Sequence, residues 1–230
     1  MSLFLYETHL HTSQSSACAV FSAKEHIRFY KEAGYSGIVV TDHFFNGNSC
    51  IPAGLPWEER VNLFCRGYEE AKEEGEKLGL SVFFGWEANY RATEFLIYGL
   101  DKEWLMNHPN SDKWSVEEQY KKVHESGGYV VHAHPFRKAA YIEEIRLFPS
   151  AVDAVEGINV GNHSNEANRQ AIAYAKKHKL PYTAGSDAHG NERYRSGIAF
   201  KRKPEDSKDF IELIRTGKYE IIQPKEIIIQ

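Results

Sequence analysis

Cysteine is scarce in this chain. Its 230 residues hold three, Cys18, Cys50 and Cys65. An odd number without C-x-x-C spacing speaks against a disulfide framework. Long apolar runs are missing too: no window approaches the roughly 20 residues of a membrane-spanning helix. The opening stretch MSLFLYETHLHTSQ has no basic segment leading into an apolar one. We therefore expect a cytoplasmic protein with no membrane partner. Nor does charge of one sign dominate: 28 Lys and Arg stand against 32 Asp and Glu, a formal net charge of -4. A surface built to grip long nucleic acid is thus not expected. The chain lacks G-x-S-x-G, G-x-x-x-x-G-K-[ST], G-x-G-x-x-G and H-E-x-x-H motifs, which leaves serine-hydrolase, nucleotide-dependent and zincin chemistry without support. Internal repeats and low-complexity segments are absent as well.

What the chain does have is alternation. Short apolar runs alternate with longer amphipathic stretches, the pattern of βα units around a largely parallel sheet in one domain spanning residues 1–230. Strands are expected at about 4–9, 36–41, 81–85, 94–98, 129–132, 151–160 and 181–184, and the β-branched tail Ile221, Ile222 and Ile227 to Ile229 reads as a closing piece. Helices are expected to start at two capping boxes, Ser22-Ala23-Lys24-Glu25 and Ser115-Val116-Glu117-Glu118. Trp57 to Leu78 reads as one long charged helix, and 165–178 and 206–215 as two more. About seven strands with helices between most of them favour a barrel over an open doubly wound sheet.

Eleven histidines are a bias that raises the question of metal. They and the acids gather where apolar runs end: Thr8-His9-Leu10-His11, Thr41-Asp42-His43, Gly85-Trp86-Glu87, His132-Ala133-His134-Pro135 and Gly185-Ser186-Asp187-Ala188-His189. On an extended segment residues i and i+2 point the same way, so His9 with His11, His132 with His134, and Asp187 with His189 can each aim two donors at one point. Imidazole and carboxylate suit zinc, manganese or iron, and a carboxylate such as Glu87 can bridge two ions.

In this order, H-x-H, T-D-H, G-x-E, A-H-P and G-S-D-A-H resemble the motifs of the PHP (polymerase and histidinol phosphatase) superfamily, from His9 to His189. The resemblance implies an α/β fold, a distorted (β/α)7 barrel, with two or three divalent metal ions at the strand carboxyl ends and hydrolysis of a phosphate monoester or diester. It implies that His9 and His11 bind one ion, that Glu87 bridges it to a second, and that Asp187 and His134 join the same cluster. His43 and His189 match ligands of a third ion. His132 has no counterpart in the A-H-P motif and is either a further ligand or a residue at the rim. Two departures stand out. Many members have a histidine in the strand after the bridging glutamate, where this chain offers Glu94. Many also have His or Asp beyond the H-x-H, where this chain offers Cys18, as a soft ligand or a packed side chain.

The expected chemistry is attack on phosphorus by a water whose pKa the ions lower, with no protein nucleophile. Arg137, in His-Pro-Phe-Arg, is a candidate to meet phosphate oxygens or to form a salt bridge. His189 or His43 is a candidate to protonate the leaving group. His163 is a further candidate ligand or substrate contact, while His26, His108, His124 and His178 read as surface or capping residues. The expected partner is a small phosphorylated substrate. Two other readings stand beside this one: a metal-dependent amidohydrolase, which would usually want a bridging lysine and a longer chain, and a non-catalytic metal-binding or regulatory domain.

Overall fold

The computed structural model describes residues 3–162, 164–191 and 195–224. Among these residues nine strands form one sheet in the order β7-β6-β5-β4-β3-β2-β1-β8-β9. They are β1 (Phe4–Glu7), β2 (Gly37–Val40), β3 (Ser81–Tyr90), β4 (Thr93–Tyr98), β5 (Tyr129–Ala133), β6 (Ala154–Asn159), β7 (Tyr182–Gly185), β8 (Gly197–Phe200) and β9 (Tyr219–Ile222). The pairs β1–β2, β2–β3, β5–β6 and β6–β7 are parallel, whereas β4 runs antiparallel to both neighbours, as does β8.

The first strand makes the seam. Its lower half, Phe4 to Tyr6, pairs with β8, but beyond its end the chain swings to the continuation of β7. There the His11 N–H donates to the Ala188 carbonyl (2.8 Å) and the Ala188 N–H to the His9 carbonyl (3.0 Å). The Thr8 hydroxyl donates to the Ala184 carbonyl at 2.7 Å. The sheet thus curls into a nearly closed barrel, which brings the two ends of the chain's motif series, His9 and Asp187, together.

Strand alternation divides the core. Tyr6, Val39, Leu96, Val131 and Ala133 share one cluster with Phe210, Ile211 and Ile214 of α7 (Ser207–Arg215), so that helix lies on the apolar side opposite the motif ends. Their neighbours Ile38 and Val40 pack against α1 (Ala23–Glu32) and α3 (Arg66–Leu78). Phe84, Trp86, Phe95 and Val130 pack with residues of α2 (Trp57–Phe64), α4 (Lys102–Met106) and α5 (Val116–Glu125). The remaining helix, α6 (Asn165–His178), covers β6. The capping box expected at Ser22 forms in full, with Glu25 reaching back to the Ser22 N–H; at Ser115 only the serine half forms, its side chain accepting from the Glu118 N–H.

The structure corrects several expectations. The stretch expected as one helix over 57–78 is two, breaking at Cys65. A Cβ on Gly67 would lie 2.2 Å from Thr12 Oγ1 and 3.0 Å from Asp42 Oδ2, so the first turn of α3 nests against the site. Strand β3 runs on to Tyr90, well past Gly85, and turns into β4 through Arg91 and Ala92, both left-handed (φ 51° and 63°). Glu87 therefore sits within a strand and not at its end. The GIAF strand β8 and the five-residue α4 are too short for a period to reveal. In the tail, Ile221 and Ile222 lie in β9, while Ile227 to Ile229 fall outside the described residues.

Candidate metal centre

The motif ends converge. Glu87, 1% exposed, lies at the middle of the cluster with its two oxygens facing different partners. Oε1 is 3.1 Å from His9 Nε2 and 3.2 Å from His134 Nε2. Oε2 is 2.8 Å from His43 Nδ1 and 3.6 Å from His11 Nε2. Asp187 Oδ1 is 3.1 Å from His11 Nε2 and 3.4 Å from His9 Nε2. Glu94 closes the far side, with Oε2 3.5 Å from His134 Nε2 and Oε1 3.9 Å from His43 Nδ1. His11, His43 and His189 form a further group with ring nitrogens within 4.8 Å of one another.

Two side chains reach the centre through unusual backbone. His134 (φ 25°) and Asp187 (φ 55°) are left-handed without being glycine, a conformation costing on the order of 1–3 kcal/mol that persists only where its surroundings enforce it. At His134 they do: the backbone N–H donates to Glu156 Oε2 at 3.0 Å. This turn also corrects the expectation that His132 and His134 point together. Val131 and Ala133 face the inner cluster, so His132 faces outward. Its ring stacks on Phe95 at 5.1 Å. Neither ring nitrogen has a hydrogen-bond partner among the described residues, and burial pushes its pKa down to about 3. It is a neutral core residue.

Three carboxylates brace the centre, two of which, Glu156 and Glu7, read in the sequence only as isolated acids within apolar runs. Glu156, 1% exposed, holds His9 Nδ1 at 2.9 Å through Oε1 and accepts from Asn159 Nδ2 at 2.9 Å through Oε2. That contact fixes the His9 tautomer with Nδ1 protonated and directs Nε2 inward, the usual carboxylate support of a metal-binding imidazole. Glu7 accepts from the N–H groups of Thr8, His9 and Ser186 and from the Tyr30 hydroxyl, tying the start of the barrel to its end. Burial raises its pKa to about 7 against those hydrogen bonds. Asp42 accepts from the Thr12 N–H and hydroxyl and from the Ser16 hydroxyl. It holds the loop after the H-x-H, a supporting role for the acid of T-D-H.

The protonation states conflict. Burial pushes His9 down, yet the carboxylates of Asp187, Glu156 and Glu87 raise it well above the ordinary imidazole value. Burial and the neighbouring His43 push His11 well below it. Burial would raise Glu87 and Asp187, but His9 and His43 in the first case, and Arg137 and His9 in the second, hold them well below the carboxylate range. Against its burial, His43 is raised to about 11, chiefly by Glu87. The Nε2 atoms of His9 and His11 face each other at 3.1 Å, where only one can carry a proton. His43 Nδ1 and Glu87 Oε2 are buried and, despite their closeness, make no hydrogen bond of acceptable geometry among the described residues. Facing lone pairs, orphaned buried acceptors and a mixed imidazole and carboxylate set together fit divalent cations, which satisfy such donors at one point.

Other sequence-derived candidates fall variously. Arg137 is held by Asp187 and donates to Asn159 Oδ1 (3.0 Å) and Asn162 Oδ1 (3.1 Å). His189 stands at the rim with Nε2 3.1 Å from Cys18 Sγ. Burial lowers it, but Cys18 and Asp187 raise it to about 9. His163 lies outside the described residues. His26, expected at the surface, is fully buried and donates from Nε2 to the His11 carbonyl at 2.9 Å. It belongs to the support of the H-x-H. A cleft of about 410 Å³ opens over the cluster, lined among others by Asn46, Asn48, Asn89, Arg137, Tyr141 and His189.

A nearly closed α/β barrel with histidine and carboxylate clusters able to hold metal is the fold of PHP-like metal-dependent phosphoesterases and amidohydrolases. Residues 165–219 match the family model PHP_C, described as PHP-associated. Over 186 residues, 74% of this chain and 68% of the relative, the sequence is 30% identical to the uncharacterized protein MJ0417 of Methanocaldococcus jannaschii. The chain belongs to the PHP superfamily. In structure it resembles a two-domain protein of Bacteroides vulgatus containing a predicted PHP-like metal-dependent phosphoesterase (TM-score 0.69, 14% identity, 96% of this chain and 64% of that one). It also resembles an amidohydrolase of Chromobacterium violaceum determined with sulfate and no metal (TM-score 0.55, 15% identity, 94% of this chain and 97% of that one). The chain thus spans less than two thirds of the two-domain protein. At these identities the two likenesses concern the fold. No helix among the described residues is long and apolar enough to cross a membrane.

Proposed function

We propose that the protein is a metal-dependent phosphoesterase that hydrolyses a small phosphate ester. The observation that carries this reading is Glu87, whose two oxygens face two separate sets of imidazoles, His9 with His134 and His43 with His11, as a bridging carboxylate requires. Bound there, two or three divalent ions would polarise phosphate oxygens and bring a water's pKa toward neutrality. His9, His11 and Asp187 would hold one ion, Glu87 and His134 with Glu94 the next, and His43 with His189 the outermost.

The chain's own contribution is placement. Glu156 keeps His9 in the tautomer that leaves Nε2 free to ligate. Arg137 fixes one Asp187 oxygen so that the other faces the histidines. In this reading Arg137 orients a ligand and its guanidinium also borders the cleft, where its positive charge, with that of any bound ions, would draw an anionic ester. His43 and His189 serve as ligands, which leaves the proton of the departing oxygen to solvent in the open cleft. The cleft volume and its amide-rich lining support a small polar substrate over a long polymer.

The test is metal analysis of protein purified without chelator, then a panel of phosphomonoesters, phosphodiesters and N-acyl amides. Hydrolysis of a phosphate ester that is lost with chelator and restored by zinc, manganese or iron is the expected result. Metal bound without turnover on any ester would favour a binding or regulatory module, and turnover confined to amides an amidohydrolase.

A further inference from the structure

The cluster has a soft edge that its carboxylate-rich interior lacks. Cys18 Sγ lies 3.1 Å from His189 Nε2 and lines the same cleft as His43, and His43 and His189 belong with His11 to one ion-sized group. The segment carrying Cys18 is pinned in place. The Val20 and Phe21 N–H groups both donate to the His189 carbonyl (2.7 and 3.1 Å), and the Ala17 N–H donates to the Asn48 carbonyl at 2.9 Å. The thiol and the His189 ring are therefore fixed to the same backbone junction. His43, 8% exposed, lines the same cleft as Cys18 and His189.

Resting on the metal-dependent reading above, we propose that Cys18 is a thiolate ligand of the ion held by His43 and His189, making this the one thiophilic position of the centre. The geometry suits it. Tetrahedral coordination with Zn–S and Zn–N bonds of ordinary length separates sulfur from nitrogen by about 3.6 Å, so the thiol and the His189 ring need only part by roughly half an ångström. The chemistry also separates the positions. A sulfur ligand with imidazoles selects zinc or cobalt over manganese, whereas the positions built on Glu87, Glu94 and Asp187 do not. The ions are then of unequal kind: the outermost is soft and the inner ones tolerate harder cations. Binding there displaces one proton from the thiol and forms one metal–sulfur bond, with no change of oxidation state.

Cobalt(II) reads this directly. Metal-free protein titrated with Co²⁺ should develop a near-ultraviolet thiolate-to-cobalt charge-transfer band together with weaker visible ligand-field bands. Cys18→Ser should lose the charge-transfer band and keep ligand-field absorption from the inner positions. Cys50→Ser, which removes the other exposed thiol, should keep both. Independently, alkylation by iodoacetamide followed by mass spectrometry should show Zn²⁺ shielding Cys18 and not Cys50. At a free zinc concentration about 100 times Kd, Cys18 modification should slow about a hundredfold. Ligand-field bands without a charge-transfer band in the unmodified protein, or a charge-transfer band that survives Cys18→Ser, would overturn the assignment while leaving the metal-dependent reading intact. Absence of any bound cobalt, measured by elemental analysis after dialysis, would overturn both.

Discussion

Replacing Glu156 by glutamine tests how far the centre depends on its support. The substitution keeps the volume and exchanges one acceptor oxygen for an NH2 group. In the structure Oε1 faces His9 Nδ1, and Oε2 accepts both the His134 N–H and Asn159 Nδ2. A glutamine can satisfy only one side: turned either way, its NH2 meets a donor. At least one buried donor is then left unpaired (His9 Nδ1 in one orientation, the His134 N–H and Asn159 Nδ2 in the other), at about 1–3 kcal/mol each, and in the first orientation His9 is free to change tautomer or rotate. Loss of a supporting carboxylate of this kind weakens metal binding on the order of 10- to 100-fold, which is about 1.4–2.7 kcal/mol. We expect Glu156→Gln to lower the melting temperature of the metal-free protein by roughly 2–4 °C per kcal/mol lost. It should also lower zinc affinity, measured by chelator competition, by that 10- to 100-fold, with the metal-bound form destabilised further. A variant that melts lower but binds zinc as tightly as the parent would refute the claim that Glu156 acts through His9.

Four further outcomes follow from the same geometry. His26, buried with Nδ1 unpartnered among the described residues, is pushed by burial from 6.5 down to about 4. A depressed folded-state value means stability present above pH 6.5 that is lost as pH falls toward 4, about 3 kcal/mol for 2.5 units at full extent. Urea unfolding of metal-free protein at pH 4.5 and 7 should therefore show a smaller difference for His26→Gln than for the parent, and equal slopes would count against the assignment. Gly37→Ala would set a Cβ 2.3 Å from the Tyr6 ring and 2.7 Å from the Ser81 carbonyl oxygen. Overpacking of that kind costs about 1–3 kcal/mol, which denaturant titration should find without any change in metal stoichiometry. His132→Leu removes two buried nitrogens that are unpaired among the described residues, in an aromatic pocket, and should keep or raise stability by up to about 2 kcal/mol. Isothermal titration should find its zinc binding intact, and loss of an ion would mark His132 as a ligand after all. Arg137→Lys keeps one charge but loses the fork that spans Asp187, Asn159 and Asn162. It should weaken the ion at His9, His11 and Asp187, with hydrolysis falling in parallel, by on the order of tenfold.

Much of this was legible in the chain because it is local. Apolar runs of strand length, two capping boxes and donor residues at the ends of those runs are properties of neighbours in sequence, and they pointed to a barrel with a donor-rich rim. The order of the motifs identified the family for the same reason. What neighbours cannot report is direction and closure. Whether His132 and His134 point together depends on one backbone angle at residue 134, and that angle is held by Glu156, 22 positions away. His26 reads as a surface helix residue until the barrel closes over it and gives it the His11 carbonyl. Glu7, Asp42 and Glu156 acquire their roles only when chain segments up to 179 residues apart are brought within hydrogen-bond distance. The sequence by itself thus determined the kind of donors and their rank along the chain. The tertiary structure decided which of them share a point, because a carboxylate or imidazole can ligate only where the closed barrel aims it and a buried partner holds it still.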